Sequence, residues 1–265
     1  MFTAQANRVE EIRTEVEAAK SLGLPANFEI ETDLPFPVKA AIRFSDQAQF
    51  HPRKFLLELA KTFVTRGGVI YEQTKVTDIN PGKPHSLKTK NGDELRARSI
   101  VQASGEPFWE GEIFDGRMWI KMSYGLVVRL KPDSNYPKDM YITTDEPLRT
   151  IRSAPYGNGR VLLFGGESHE WDEKTDNPDA HYQNLIEDVH ARFDVESVLY
   201  RWLAGDYMPY DLIPCIGPLP DHPSIYVVTG YRAWDLLGQC RQQVLSQGTC
   251  PASRSGGRNT LVWSD

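Results

Sequence analysis

The stretch Pro52-Arg53-Lys54-Phe55-Leu56-Leu57-Glu58-Leu59-Ala60-Lys61-Thr62-Phe63-Val64-Thr65-Arg66-Gly67-Gly68-Val69-Ile70-Tyr71 encodes a helix followed at once by a strand. Phe55, Leu56, Leu59, Ala60, Phe63 and Val64 recur at helical spacing and make one apolar face. Pro52 suits a first turn, where a missing N–H costs nothing, and Gly67-Gly68 end the helix. Val69 to Tyr71 reads as a strand, Lys75 to Ile79 as a second extended segment, and Ser86 to Thr89, the Asn91-Gly92 turn and Leu95 to Arg98 complete a small antiparallel meander. Ile100 to Ala103 is a short buried strand, closed by Ser104-Gly105, small residues that let another group approach the backbone.

On the N-terminal side, Val9, Ile12, Val16 and Ala19 predict an amphipathic helix over residues 4–22, stopped by Gly23 and Pro25. On the C-terminal side, Met118 to Lys121, Leu126 to Leu130, Met140 to Thr143, Thr150 to Ala154 and Arg160 to Gly165 predict an antiparallel sheet. Asn177-Pro178 opens a third helix with Tyr182, Leu185, Ile186, Val189 and Phe193 inward, and Ile225 to Thr229 is a further strand ending at Gly230. This succession predicts two α+β units threaded through each other. From Gln239 to Arg258 no period of 2 or 3.6 survives, so an unstructured tail is expected.

With 40% hydrophobic and 25% charged residues, the 265-residue chain can build a sizeable core, which excludes disordered and fibrous classes. A net charge of −6 leaves no cationic field for nucleic acid. No apolar run approaches the ~20 residues a membrane helix needs, so no membrane partner and a cytoplasmic location are expected. Cys215, Cys240 and Cys250 fit neither a disulfide framework nor a metal knuckle, and no metal site is expected.

Few residues declare chemistry directly. His51 precedes a helix and serves either as part of its cap or beside a bound anion. Gly165-Gly166-Glu167-Ser168-His169 suits a tight loop or a ligand rim, and His181 and His190 lack metal-pair spacing. Arg149 and Arg152 flank a β segment, where an arginine facing a cavity could clamp a carboxylate and one at the surface would pair with an acid. No G-x-S-x-G, H-E-x-x-H, Walker A or G-x-G-x-x-G occurs, so hydrolase and P-loop readings have no foothold.

Ala41-Ile42-Arg43-Phe44-Ser45-Asp46-Gln47-Ala48-Gln49-Phe50-His51-Pro52, Arg66 to Glu72 and Thr77-Asp78-Ile79 together resemble the D-amino-acid oxidase family of FAD-dependent oxidoreductases. Phe164 to His169 is similar to the family's Gly-Gly-Glu-Asp-His stretch. Tyr207 to Asp211 with Pro214 and Ile216-Gly217 is similar to a late FAD-side loop, and Tyr226 to Tyr231 to its final strand and flavin-facing turn. The resemblance implies a glutathione-reductase-type FAD-binding domain, incomplete and lacking its first βαβ, interleaved with a mixed antiparallel-sheet substrate domain. Residues 1–23 would be a helical segment, 24–50 and 111–198 the substrate domain, 51–110 and 199–240 the partial FAD domain, and 241–265 a disordered tail.

By the same resemblance, Val76, Ala103, Ser104, Gly105, Gly205, Asp211, Gly217, Gly230, Tyr231 and Trp234 would meet FAD. His51, Arg152 and His169 would face a small amine or amino-acid substrate whose C–N bond is oxidised, with Arg152 holding a carboxylate. The alternative is a non-catalytic remnant or substrate-binding module without FAD. The family's opening strand, glycine-rich turn and helix are not in this sequence, which is expected to weaken FAD binding and to leave strand edges unpaired. An internal start at Met1 and a reading-frame change near residue 238 are the expectations that account for the two ends.

Overall fold

The computed structural model describes residues 1–265 except 111, 112, 115, 173–176, 233–259 and 263–265, and at 260–262 the backbone. In chain order its elements are β1 (Phe2–Thr3), α1 (Val9–Ser21), β2 (Ala26–Glu29), β3 (Ala40–Phe44), α2 (Pro52–Thr65), β4 (Val69–Tyr71), β5 (Val76–Asn80), β6 (His85–Thr89), β7 (Glu94–Ala97) and β8 (Ile100–Gln102). Then follow β9 (Met118–Leu130), β10 (Tyr141–Ile142), β11 (Arg149–Tyr156), β12 (Gly159–Glu170), α3 (Pro178–Arg192), β13 (Val195–Pro209), β14 (Cys215–Leu219), β15 (His222–Thr229) and β16 (Thr260–Val262). The chain divides into two compact units, Met1–Phe50 with Lys121–Gly205 and His51–Ile120 with Asp206–Asp265.

The first unit is built on a five-stranded sheet in the order β10-β11-β12-β9-β13. Alternation puts Tyr124, Leu126 and Val128 of β9, Ile151 of β11 and Leu162 and Phe164 of β12 on one face, where they meet Leu185 and Val189 of α3. Each such buried side chain contributes about 1.5–3 kcal/mol. The Asn177 side chain caps α3 by accepting from the Ala180 N–H, with Pro178 in the first turn. A second layer sets Ile12, Val16 and Ala19 of α1 on Ala26, Ala40 and Ile42 of the β1-β3-β2 sheet. α1 stops at Gly23, whose φ of 75° is the left-handed conformation glycine adopts freely.

The second unit holds the sheet β14-β15-β8, the meander β5-β6-β7 and a β4–β16 pair. Ile79, Ile100, Leu219, Ile225 and Val227 form its core. β8 runs parallel to β15 and, among the described residues, has no strand on its other side; Val101 is 59% exposed. α2 begins and ends as its sequence predicts, but its apolar face is not a core face: no residue of α2 is buried, and Phe55, Leu59 and Val64 are each about half exposed.

Other expectations need correction. Val195–Pro209 is one long strand, so Tyr207, Met208 and Pro209, expected in a loop, end β13. β2, β3 and β14 were not legible in the sequence. Thr260–Val262, expected in the disordered tail, pairs in parallel with Val69–Tyr71, while the rest of residues 241–265 lies outside the described residues. Residues 1–23 belong to the first unit, and the unit boundaries fall at 120/121 and 205/206. No helix among the described residues is long and apolar enough to cross a membrane.

Candidate functional site

Register determines what the first unit presents on the sheet face away from α3. Thr150 pairs with Gly165 and Gly165 with Gly125, while Arg152 pairs with Leu163 and Leu163 with Val127. Directly opposed residues share a face, so two adjacent rows cross the sheet. The first row contains two glycines, and neighbouring side chains use the space. A Cβ at position 125 would lie 2.2 Å from Trp202 Cζ2, and one at 165 would lie 2.8 Å from Thr150 Oγ1. The indole of Trp202 therefore lies on the bare backbone of β9.

An open cavity of about 370 Å³ lies over these rows, lined by Met140, Ile142, Thr150, Arg152, Leu163 and Trp202 among others. Arg152 is half-buried there, and no carboxylate among the described residues pairs with it. Tyr141, opposite Ile151, turns its ring to the other face, against Phe2, and its hydroxyl donates to Asp33, whose second oxygen accepts from the Lys138 N–H at 2.5 Å. Burial, with the Asp33 bond adding, pushes the Tyr141 phenol well above its ordinary pKa, so it stays neutral.

The other arginine of the pair is used differently. Arg149 is 3% exposed, donating to Asp188 and to Glu167 at 2.7 Å each and to the Leu148 carbonyl at 3.0 Å. Glu167 also accepts from Asn184 at 3.0 Å and contacts His181 Nδ1 at 3.1 Å. Burial works to raise the Glu167 pKa, and the bonds from Asn184, His181 and Arg149 outweigh it, leaving the carboxyl below its ordinary value. His169 belongs to this side too: its ring stacks on His181 at 4.3 Å and on Tyr124 at 5.7 Å, against α3 rather than in the cavity.

In the second unit, β8 and β15 end side by side, as Gln102 pairs with Val227. The exposed residues Ala103, Ser104 and Gly105 follow one strand and the buried Gly230 and Tyr231 follow the other. Both turns pass through left-handed glycines, Gly105 at φ 79° and Gly230 at φ 75°, and the Thr229 hydroxyl donates to the Gly105 carbonyl. Carboxyl ends of parallel strands are where open α/β sheets take ligands. Tyr207, its phenol pushed up to about 12 by burial and by Glu106, donates to Glu106 at 3.1 Å beside Gly105.

The remaining expected site residues scatter. Gly217 lies in β14, across from Val227 in the same sheet. Asp211 is exposed in the turn after β13 and accepts from the Ile213 N–H. Gly205 is exposed within β13, Val76 opens β5, and Trp234 is outside the described residues. His51 is the N-cap of α2, its Nδ1 accepting from Lys54 N–H at 3.5 Å, the capping alternative of the two. Gly125, Thr150, Tyr141 and Trp202 were not singled out from the sequence. An isolated glycine within a strand signals a close approach, and Gly125 is one.

A sheet with a lined cavity in one unit, and parallel strands ending in small-residue turns in the other, make a two-unit α+β fold, the glutathione-reductase-type fold of the FAD-dependent oxidoreductases it superposes on. The chain matches the FAD dependent oxidoreductase family, DAO, over residues 1–238, and it belongs to that family. A Bacillus subtilis (strain 168) protein, YhfW, provisionally named a Rieske 2Fe-2S iron-sulfur protein, is 34% identical over 241 residues. That match covers 89% of this chain and 46% of the relative, so the chain spans about half the relative's length. Glycine oxidase from Geobacillus kaustophilus superposes with a TM-score of 0.75 at 17% identity, over 97% of this chain and 74% of that one. L-proline dehydrogenase from P. horikoshii gives 0.66 at 14% identity, over 95% of this chain and 72% of that one. At such identities the likeness speaks for the fold alone.

FAD is the cofactor of this family. The exposed turn at Ala103, Ser104 and Gly105 and the Gly230-Tyr231 turn fit the backbone approach such a group makes. The sequence contains no glycine-rich strand-to-helix turn: residues 45–51, which join β3 to α2, include no glycine, and His51 caps the helix. The fit therefore extends to the two turns and not to a pyrophosphate cradle.

Proposed function

We propose that this chain is the substrate-recognising part of an FAD-dependent oxidoreductase that oxidises a C–N bond of an amine or amino acid. The observation that carries this is Arg152, half-buried in the cavity wall without an acidic partner among the described residues, on a strand whose neighbouring arginine is fully paired. A guanidinium in that setting matches a carboxylate bidentately. Bound FAD would supply the hydride acceptor, and the turns at 103–105 and 229–231 are the residues that would approach it. Arg152 would fix the substrate's carboxylate and the sheet face would exclude water. No acid or base from the chain is required for a neutral amine.

Replacing Arg152 by glutamine is expected to weaken binding of an amino acid by roughly 10- to 150-fold, the worth of about 1.5–3 kcal/mol for a charge-assisted contact. The matching decarboxylated amine should bind both proteins equally. Isothermal titration with phenylalanine and phenethylamine checks this; equal losses for the two ligands would remove the carboxylate role.

A non-catalytic binding module is the second reading, favoured by the edge of β8 that no strand among the described residues covers. Titration with FAD to high concentration separates the two: saturable, if weak, quenching of flavin fluorescence supports the oxidoreductase, and no saturable binding supports the module.

A further inference from the structure

We infer that the cavity on the five-stranded sheet selects amino acids with a flat, apolar side group and discriminates against glycine. The inference rests on the reading of Arg152 as carboxylate anchor and adds to it the part of the site that meets the rest of the substrate.

Three features carry it. The cavity, about 370 Å³, lies within the ~300–1,000 Å³ range of sites that enclose multi-carbon ligands, far more than a two-carbon amino acid fills. Apart from Arg152 and Thr150 its side-chain lining is apolar: Met140 and Ile142 at β10, beside Arg152, Leu163 in the floor, and Trp202 on β13 at the far end. The Gly125–Gly165 row is the part of the floor without side chains of its own, so the Trp202 ring is set down on the strand and Thr150 leans over the other glycine.

Arg152 and Trp202 stand on β11 and β13, three strand spacings or roughly 14 Å apart at the backbone. Both are long side chains and both line the same cavity. A ligand holding its carboxylate at Arg152 presents its side group toward Trp202, which is 40% exposed and offers an aromatic surface. Burying that surface against a planar apolar group is favourable through area and ring contact. Glycine gains neither.

The test is equilibrium binding to the full chain, followed by calorimetry, with glycine and with each enantiomer of phenylalanine. One phenylalanine enantiomer is expected to bind at least tenfold more tightly than glycine, the scale of discrimination a hydrophobic pocket achieves. Trp202→Ala should remove most of that advantage, bringing the phenylalanine-to-glycine affinity ratio toward one, and Trp202→Phe should restore part of it. Circular dichroism of each variant checks that the sheet is intact. Gly125→Val reaches the same end without touching the wall residue, since its side chain displaces the indole. Equal affinity for glycine and phenylalanine, with Arg152 still required for both, overturns the pocket assignment alone. Binding of neither ligand, or binding indifferent to Arg152→Gln, overturns the amino-acid reading and the pocket assignment with it.

Discussion

Arg149→Met is expected to lower stability by about 1.5–3 kcal/mol, because it removes the buried guanidinium that Glu167 and Asp188 share, while Asn184 and His181 stay on Glu167 and Arg192 stays on Asp188. Urea unfolding followed by circular dichroism measures it. Arg152→Met, three positions along the same strand but on the cavity face, should cost no more than about 0.5 kcal/mol. Acid sharpens the comparison. Glu167 is held below its ordinary pKa, so its contribution is complete above about pH 4.3, the unfolded value, and is lost as pH falls through the lower folded value. The gap between wild type and Arg149→Met should therefore narrow in acid. Equal unfolding midpoints at neutral pH would show that the network is not structural.

The second large effect concerns FAD. A glycine-rich turn at a helix N-terminus supplies several charge-assisted amide contacts to the pyrophosphate, each worth about 1.5–3 kcal/mol. This sequence contains no such turn. Losing them removes on the order of 5 kcal/mol, more than a thousandfold in affinity. The purified chain should lose FAD on gel filtration, and fluorimetric titration should give an affinity weaker by that factor than glycine oxidase shows. Stoichiometric flavin retained through the column would mean that other residues hold the phosphates. It would also place the two turns at 103–105 and 229–231 in a fuller site than they make by themselves.

Where the sequence carried a strong period, its structure was legible. α1 and α3 step by three and four residues toward a sheet, and Ile12, Val16, Leu185 and Val189 are all buried. α2 has the same pattern with no burial, because periodicity reports a face and not what covers it. β13 escaped notice for the opposite reason: residues from Arg201 to Gly205 are exposed in succession, so no alternation marks the strand. The division of labour between Arg149 and Arg152 was within reach, since an odd separation in a strand puts two residues on opposite faces. Trp202 over Gly125 was not, because it depends on how β9 and β13 lie together, which no local spacing records.

The parallel pairing of Ile100 with Ile225 has a consequence for how the molecule forms. The chain between those residues contains the whole Lys121–Gly205 portion of the first unit. While that insert is unfolded, joining β8 to β15 closes a long, floppy loop, with an entropy cost that rises as the logarithm of its length. Once the insert has collapsed around α3, the same closure spans only the distance between its two exits. Assembly is thereby ordered by topology: the sheet that bears the cavity can form first from mostly local hairpins, whereas the strand ends that would meet a nucleotide come together late.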